Sequence, residues 1–458
     1  MTSAAMQPFR ARQLLLAAVP CLLLLPAWLL FPHPVIAVAV GIAPLLGLFV
    51  IRQPYFMVLL FVLFSFFRLH EVFPQLYTLR IPLLLSLASL AALGWHIAIS
   101  GQVKPYWRPE LTRASVFFIL VTVGIVLATN RPLAIEYFSA TYWKIILMTF
   151  AIAWMVRTLR DFSLSLHGVT WSGLAVGAVA LYNKVNEIGL VEGTRVTIGR
   201  DLGSVLGDPN DLSLVLLFPL SFALAMVMSP RLSRYDRLLG LLTVIVLLLA
   251  IVVTQSRGGL LGVVGVLAVF AWRRVRSKAL LISAGSVLMG VLYVVAGISG
   301  RKSGGAAEAG LDESAMGRLH AWEAAFGMAL DNPLSGVGLN NFYSNYYFYS
   351  AYWDGLNHAV HSTWFGVLGE TGFLGLFAFL SMLIALIKSA SASLRTLAEG
   401  QQKYPPVLQT IAEGILAGLI GFSVSGTFLT QGFTWPLYIL LALTVALAQY
   451  VLNREPTR

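Results

Sequence analysis

The chain of 458 residues is 58% hydrophobic and only 11% charged, with a formal net charge of +11. Soluble domains carry about 25% charged residues, so this composition excludes an ordinary soluble enzyme and predicts a protein of the lipid bilayer. The positive charge does not indicate nucleic-acid binding, because the basic residues stand in short clusters between apolar segments, as in loops of polytopic membrane proteins. Cys21 is the only cysteine, which excludes internal disulfide bonds and cysteine-based metal sites.

Apolar segments recur along the whole chain. They lie near residues 13–31, 34–50, 54–67, 79–99, 114–129, 142–156, 163–182, 211–229, 238–255, 258–272, 279–299, 362–387, 406–428 and 432–452. Only helices satisfy their own backbone hydrogen bonds in lipid. Because a crossing needs about 20 apolar residues, and some segments are shorter or broken, we predict an all-α polytopic membrane protein with about 12 transmembrane helices. The first segment is interpreted as a spanning helix rather than a signal peptide, since no small-residue cleavage site is clear.

The basic residues predict how these segments are oriented. If the N-terminus is cytoplasmic and all segments cross, 20 of the 31 lysines and arginines lie in cytoplasmic turns, as the positive-inside rule requires. Both termini are then cytoplasmic, and two long loops, 183–210 and 300–361, face the other side. The chain divides into N-terminal helices 1–299, the loop 300–361 with short helices, and C-terminal helices 362–458.

Titratable side chains gather where the second loop meets the next apolar segment. His358 and His361 stand at i and i+3 and share one helical face if the helix has begun there. A neutral imidazole near pH 7 is a good general base for a hydroxyl nucleophile; alternatively, the two rings cap the helix or bind loop carbonyls. Glu370 lies inside the apolar run that follows, where an ionisable group is costly, and we assign it a structural or supporting role.

Three arginines are predicted to lie on the same side of the membrane as the histidines. Arg257 sits in a polar break between two apolar segments, Arg200 in a Gly/Asp/Asn-rich loop, and Arg318 on a predicted loop helix. A guanidinium is always charged and its planar fork fits phosphate oxygens, so we predict a phosphate-bearing ligand. Alternatively, Arg257 snorkels from a helix end and Arg318 is a solvated surface residue. For Arg200 the alternative is a salt bridge with Asp201 or Asp208.

Local structure is predictable in parts of both loops. Asp208 and Asn210 precede an apolar segment and are typical of turn and N-cap chemistry. The stretch 313–330 predicts an amphipathic helix, with one apolar side formed by Met316, Leu319, Trp322, Phe326 and Leu330. The aromatic run 342–353 is typical of the membrane–water boundary; the alternative is a platform on which sugar rings or an isoprenoid chain stack.

A metal site is not predicted. His358, His361 and Asp354 are potential ligands, but no second cluster completes a tetrahedral set, and Glu370 lies too far along its helix. We expect neither a metal nor an organic cofactor.

Four sequence blocks, in this order, resemble the O-antigen ligase and polymerase superfamily of bacterial envelope proteins. They are Gly207-Asp-Pro-Asn-Asp-Leu212, Ser256-Arg-Gly-Gly259, Arg318 with Trp322 and then Asn332-Pro-Leu-Ser-Gly-Val-Gly338, and His361 with eight residues before Glu370-Thr-Gly372. The resemblance covers about residues 200–390. It implies that His361 is the catalytic histidine, because His361 keeps the family spacing to Glu370. Ser362 departs from the family pattern, which usually has Asn after this histidine.

The resemblance implies a glycosyltransferase that moves O-antigen polysaccharide from undecaprenyl pyrophosphate to the lipid A–core of lipopolysaccharide. The reaction would take place on the periplasmic face of the inner membrane, among membrane lipids and without nucleic acid. Arginines would offset the charge of the departing pyrophosphate, so we expect an inverting, metal-independent transfer. The residues assigned to binding the pyrophosphate or glycan are Arg318, Arg257, Arg200, His358 and Trp322. Two alternatives stay open: a polymerase of the same superfamily, which joins carrier-linked repeats, and a transporter of an anionic lipid-linked glycan.

Overall fold

The described residues of the protein form helices and loops. The computed structural model describes residues 34–68, 81–295, 313–400 and 403–454, together with Leu22, Pro26 and Leu29. This part of the chain contains no strand, only an isolated antiparallel bridge between Val191 and Arg195. The helices are α1 Pro34–Arg52, α2 Pro54–Phe66, α3 Ile81–Ala98, α4 Pro109–Leu127, α5 Arg131–Met155, α6 Leu159–Val185, α7 Pro209–Met228, α8 Arg234–Thr254, α9 Arg257–Arg274, α10 Lys278–Val295, α11 Glu313–Asp331, α12 Phe342–Tyr349, α13 Thr363–Glu399, α14 Pro406–Ser425 and α15 Trp435–Leu452.

Nine helices of the described part are long and apolar enough to cross a membrane, or ten if the bent pair α1–α2 is one span. The predicted all-α polytopic membrane protein is confirmed. Helices α1–α10 and α13–α15 coincide with predicted apolar segments, whereas the segment 13–31 lies outside the described residues apart from three positions. The first two of these helices do not form separate crossings: Ile42–Arg52 and Pro54–Phe66 meet at 96° and make a broken span or a re-entrant loop.

Side-chain caps set where several of these helices begin. Asp208 accepts the backbone N–H groups of Asn210 and Asp211 at the start of α7. Ser256 and Ser362 accept the N–H three residues further on, at the starts of α9 and α13. Each cap satisfies a donor that the helix itself leaves unpaired, so the helix starts are encoded locally.

Helices α7 and α15 form the centre of the bundle. Of each, 83% is buried inside the protein, against 28% for the peripheral α3. The central α7 packs against α6, α8, α9 and α14. Large apolar side chains such as Leu84, Leu87 and Leu249 remain exposed on peripheral helices, which is the surface that a lipid-facing helix presents.

Hydrogen bonds between loops gather the helix termini into two groups, so the bundle has two ends. At one end, hereafter the loop end, α11, α12 and the loops after α6 and α14 cover the bundle. The N–H of Thr129, just after α4, donates to the carbonyl of Val337 at 3.0 Å. The amide of Gln431, just before α15, donates to the carboxylate of Asp211 at 2.6 Å. These hydrogen bonds join loops that are far apart in sequence into one layer over this end of the bundle.

The opposite end, hereafter the basic end, carries the short turns rich in arginine. Arg157 donates to the carbonyl of Gln102, and Arg231 donates to the carbonyl of Tyr404 at 2.9 Å. The basic residues of these turns and helix ends include Arg108, Arg157, Arg231, Arg234, Arg273, Arg274, Arg276, Lys278, Lys403 and Arg454. The residues proposed for chemistry and the clustered positive charges thus occupy opposite ends of the bundle.

Helix α11 confirms the amphipathic helix predicted over 313–330, but its buried side differs from the prediction. The buried residues are Ala321, Ala324, Ala325, Met328 and Ala329. Leu319, Phe326 and Leu330 are instead 48%, 45% and 58% exposed. Small alanine side chains allow α11 to approach α13 closely, and this leaves the larger apolar residues on the outer face.

Candidate active site

His361 lies at the loop end, two residues before α13 begins at Thr363. It is half-buried, and its φ of +43° falls in the left-handed region, which is uncommon for a residue with a side chain and occurs at functional sites. The helix begins at Thr363, so neither His358 nor His361 belongs to α13, and the condition under which their rings would share one helical face is not met. Ser362 caps the helix, and the N–H of Thr363 donates to the carbonyl of Gly426 at 2.7 Å.

Burial and nearby charges together determine the protonation state of His361. Burial, and next the guanidinium of Arg318, lower the pKa of His361 below its ordinary 6.5; His358 and Arg195 act in the same direction. Asp208 opposes them. The imidazole is therefore neutral at pH 7 and able to accept a proton.

Aromatic side chains pack against Arg318 and Trp322 next to residues 360–363, hereafter the junction before α13. The indole N–H of Trp322 donates to the carbonyl of Val360 at 3.1 Å, and the indole stacks on Phe365 with 5.0 Å between ring centres. The guanidinium carbon of Arg318 lies 5.8 Å from the centre of the Phe428 ring, within cation–π distance. Since positions i and i+4 are neighbours on a helix surface, α11 presents both residues to the start of α13.

His358 forms a separate pair in the loop. Its Nε2 lies 3.0 Å from both carboxylate oxygens of Asp354, and its ring meets Tyr346 edge-on at 5.4 Å. The N–H of Leu356 and the His358 ring lower the pKa of Asp354, so this carboxylate stays charged and holds the imidazole. His358 therefore faces the loop carboxylate and influences His361 through its charge.

The structure adds Arg195, which the sequence patterns did not single out. The buried Arg195 donates through Nε to the carbonyl of Thr254 at 3.1 Å and through a terminal nitrogen to the side-chain oxygen of Asn210 at 2.9 Å. Its other terminal nitrogen lies 3.8 Å from the carboxylate of Glu192. Arg195 thus ties the loop before α7 to the end of α8, within electrostatic range of His361.

Arg200 belongs to the same loop and was predicted to bind the ligand, but it lies nearer the protein surface than Arg195. It is exposed on a short 3₁₀ turn and donates to the carbonyl of Gly207 at 3.3 Å. The alternation of polar and apolar residues from Arg195 to Ile198 would place the Arg195 side chain on the solvent side of an extended segment. The structure instead buries all four residues, so no local pattern identifies Arg195.

Arg257 is the first residue of α9, directly after the capping residue Ser256. It is half-buried, and the glycine that follows it permits close packing, since a Cβ on Gly258 would lie 3.0 Å from the Cβ of Phe428. Phe428 is also the ring beneath Arg318. Phe428 therefore lies next to Gly258, which follows Arg257, and beneath Arg318, so the two predicted arginines lie near one phenylalanine.

Asp211, in the first turn of α7, is part of the first of the four sequence blocks. Asp211 accepts a hydrogen bond from the Gln431 amide at 2.6 Å. The Gln431 side-chain oxygen accepts the hydroxyl of Thr434, and its backbone N–H donates to the hydroxyl of Thr363 at 3.1 Å. This network connects α7, the loop before α15 and the start of α13, and no sequence pattern identifies Gln431.

Glu370 contacts the segment between α11 and α12. Its Oε2 accepts the N–H of Asn340 at 2.8 Å and its Oε1 accepts that of Phe342 at 3.3 Å. The N–H of Val337 donates to the carbonyl of Gly369 at 2.9 Å. Glu370 thus holds this loop segment against α13.

The junction offers a base and several cations. Within the described ranges, no three His, Cys, Asp or Glu side chains converge as metal ligands. A neutral imidazole can take a proton from a hydroxyl, and guanidinium groups can stabilise an anionic oxygen. The arrangement at His361, Arg318 and Arg195 is suited to group transfer from an anionic leaving group to a hydroxyl.

Part of the chain is similar to a known protein family. Residues 242–380 match the family model described as O-antigen ligase, whereas no curated protein matches the chain. The matched range contains Arg257, Arg318, His358, His361 and Glu370. The family implies an enzyme of the glycosyl-transfer type. The match over residues 242–380 shows that this part of the multi-pass membrane protein is similar to the O-antigen ligase family, and it supports the resemblance to the O-antigen ligase and polymerase superfamily.

Proposed function

We propose that this protein is an O-antigen ligase that moves O-antigen polysaccharide from undecaprenyl pyrophosphate to lipid A–core. The observation that carries the proposal is the junction before α13, where half-buried His361 has a lowered pKa and lies in the field of Arg318 and Arg195. Transfer from a lipid pyrophosphate to a sugar hydroxyl needs a neutral base beside fixed cations.

In the proposed reaction, His361 takes the proton of the acceptor hydroxyl while the hydroxyl oxygen attacks the anomeric carbon of the donor sugar. The bond from that carbon to the pyrophosphate oxygen breaks, and its electron pair leaves with undecaprenyl pyrophosphate. Direct displacement inverts the anomeric carbon. Arg318 and Arg257 stabilise the departing charge, a role that a divalent cation has in other enzymes, so the reaction is proposed to be metal-independent.

The outer surface of the loop end supports a donor with a lipid tail. Phe326 on α11 meets Phe373 on α13 edge-on, with 6.0 Å between ring centres, and both remain partly exposed. The exposed aromatic residues of the following segment are Tyr343, Tyr347, Phe348, Tyr352 and Trp353. Aromatic side chains of this kind are typical of the membrane–water boundary, where a lipid-linked sugar presents its headgroup.

The positive-inside rule favours a cytoplasmic basic end and a periplasmic site in the inner membrane, with both termini cytoplasmic. Single cysteines test this orientation after Cys21→Ser. Leu356→Cys lies at the loop end and Tyr235→Cys at the basic end, and the native residues are 67% and 86% exposed. An impermeant thiol reagent should label position 356 but not 235 in intact spheroplasts. The reverse pattern would contradict the proposed side of the site.

The proposed activity is tested with purified protein in liposomes that contain carrier-linked glycan and lipid A–core. We expect glycan on lipid A–core, at an unchanged rate with a chelator of divalent cations. A polymerase of the same superfamily is the second candidate, because its reaction uses the same donor. Longer carrier-linked chains without lipid A–core product would favour the polymerase. Movement of intact donor across the bilayer without either product would favour a transporter.

A further inference from the structure

A cavity of about 790 Å³ opens at the basic end, far from the candidate active site. It lies between the start of α4, the second half of α13 and the last turn of α15. Its charged lining residues are Arg108, Glu110, Arg113 and Lys388. Arg108 donates hydrogen bonds from two nitrogens to the carboxylate of Glu110, at 3.2 and 3.4 Å, so this pair is close to neutral overall.

Arg113 and Lys388 give the cavity its net positive charge. Both are exposed, and neither forms a hydrogen bond or ion pair with another residue in the described part of the chain. Two cations that face one cavity repel each other, and an anion between them would relieve this repulsion. The electrostatics therefore favour an anionic ligand.

The cavity changes character along α13. Towards the middle of the bundle its wall is apolar, with Phe377, Leu380 and Ile384 exposed to 72%, 37% and 51%. Towards the basic end it carries the hydroxyl groups of Ser389, Ser393 and Thr396. The twelve residues from Phe377 to Lys388 extend about 16 Å, which is close to half of the roughly 30 Å hydrocarbon thickness of a bilayer.

We propose that this cavity binds an anionic glycerophospholipid of the leaflet opposite the active site. Its phosphate lies between Arg113 and Lys388, and an acyl chain follows Phe377, Leu380 and Ile384 along α13. A free phosphate or a nucleotide also carries the charge to bind the two cations. Neither has an acyl chain that would fill an apolar groove one leaflet long. The site is separate from the transfer reaction, so it holds or fails independently of the proposed ligase activity.

The test uses the purified full chain, delipidated in detergent and titrated with phosphatidylglycerol or with phosphatidylcholine of the same acyl chains. Native mass spectrometry counts the bound lipid. We expect tighter binding of phosphatidylglycerol, weakened about 30-fold in the double variant Arg113→Ala/Lys388→Ala, since each basic residue near the membrane surface strengthens binding of anionic lipid about fivefold. Arg234→Ala/Arg237→Ala removes the same charge at the same end but outside the cavity, and it should leave this binding unchanged.

A second variant tests the space in the cavity without changing its charge. Ala392→Trp fills the headgroup region, whose lining includes the exposed Ala392, and keeps both cations; it should also lose the bound lipid while retaining the thermal stability of the unmodified protein. Equal affinity for the two lipids, or full binding by the Arg113→Ala/Lys388→Ala protein, would overturn the inference. Inorganic phosphate is the third probe: if it binds as tightly as phosphatidylglycerol, the site takes a free anion and the lipid assignment is wrong.

Discussion

The carbonyl oxygen of Pro333 lies where a side chain on Gly372 would have to go, since a Cβ built there is 2.5 Å from that oxygen. Gly372 interrupts α13 with φ +68° and ψ −172°, and the N–H of Phe373 donates to the same carbonyl at 2.8 Å. A Cβ on Gly336 would likewise lie 2.4 Å from the carbonyl of Gly369. The segment after α11 therefore fills a break in α13 and locks the two helices together.

Gly372→Ala should destabilise the protein by about 2 kcal/mol or more, because it adds both a strained φ and a contact with backbone. We expect a lower melting temperature in detergent and a loss of glycan transfer. Gly317→Ala is the control, since a Cβ there meets no described atom within 4 Å and alanine favours a helix. An unchanged melting temperature for Gly372→Ala would contradict the locking role.

Glu370→Ala should remove two backbone acceptors and leave the N–H groups of Asn340 and Phe342 without their carboxylate. Phe342 is buried whereas Asn340 is exposed, so one buried donor loses its acceptor, at a cost of about 1–3 kcal/mol. The melting temperature should fall, and transfer should fall with it. Glu370→Gln keeps one acceptor and should recover part of both. The control is Glu136→Ala at an exposed position. Wild-type stability of Glu370→Ala, with activity lost, would instead indicate a direct chemical role for Glu370.

His361→Ala should reduce transfer by roughly 10²–10⁴-fold, the usual contribution of a general base, and His358→Ala by much less. Burial and Arg318 lower the pKa of His361 below 6.5, so the base stays neutral as the pH falls from 7 to 6.5. The transfer rate should decline only below that pH, and this acidic limb should be absent in His361→Ala.

Rates are compared at equal membrane abundance of the two variants. Full activity of His361→Ala with an inactive His358→Ala would reverse the assignment. If both variants remained active, catalysis would depend on the cations and on positioning.

Arg318→Ala and Arg257→Ala should weaken use of the donor far more than they weaken folding, because the proposed partner of both is a pyrophosphate. The increase should appear in the KM for the carrier-linked glycan. Lysine at either position should restore only part of the loss, because an ammonium lacks the bidentate fork. Near-normal transfer by both alanine variants at limiting donor would rule out this role.

Arg195→Ala should damage the enzyme more than Arg200→Ala. It leaves the carbonyl of Thr254 and the side chain of Asn210 without a buried donor, which costs about 1–3 kcal/mol, and it removes a charge near His361. We expect both a lower melting temperature and a loss of transfer, with a small effect for the exposed Arg200. A larger loss in Arg200→Ala at equal stability would restore Arg200 as the ligand-binding arginine of this loop.

The sequence by itself determined the membrane helices and most of their starts. In lipid, a segment has to satisfy its own backbone groups, so hydropathy over about 20 residues is enough to predict a helix. Caps such as Asp208 act within three residues and are equally local. The ordered motifs around Arg257, Arg318 and His361 also indicated the superfamily that residues 242–380 match.

Only the tertiary structure decided which side chains meet at the site. Arg195 depends on the carbonyl of Thr254, 59 residues away, and Gln431 contacts Asp211 across 220 residues. α13 begins only at Thr363, after His361, and the N–H of Thr363 donates to the distant carbonyl of Gly426 at the end of α14. Likewise, α11 buries its alanines because α13 approaches too closely for larger residues. Such contacts depend on the packing of segments that no local pattern relates.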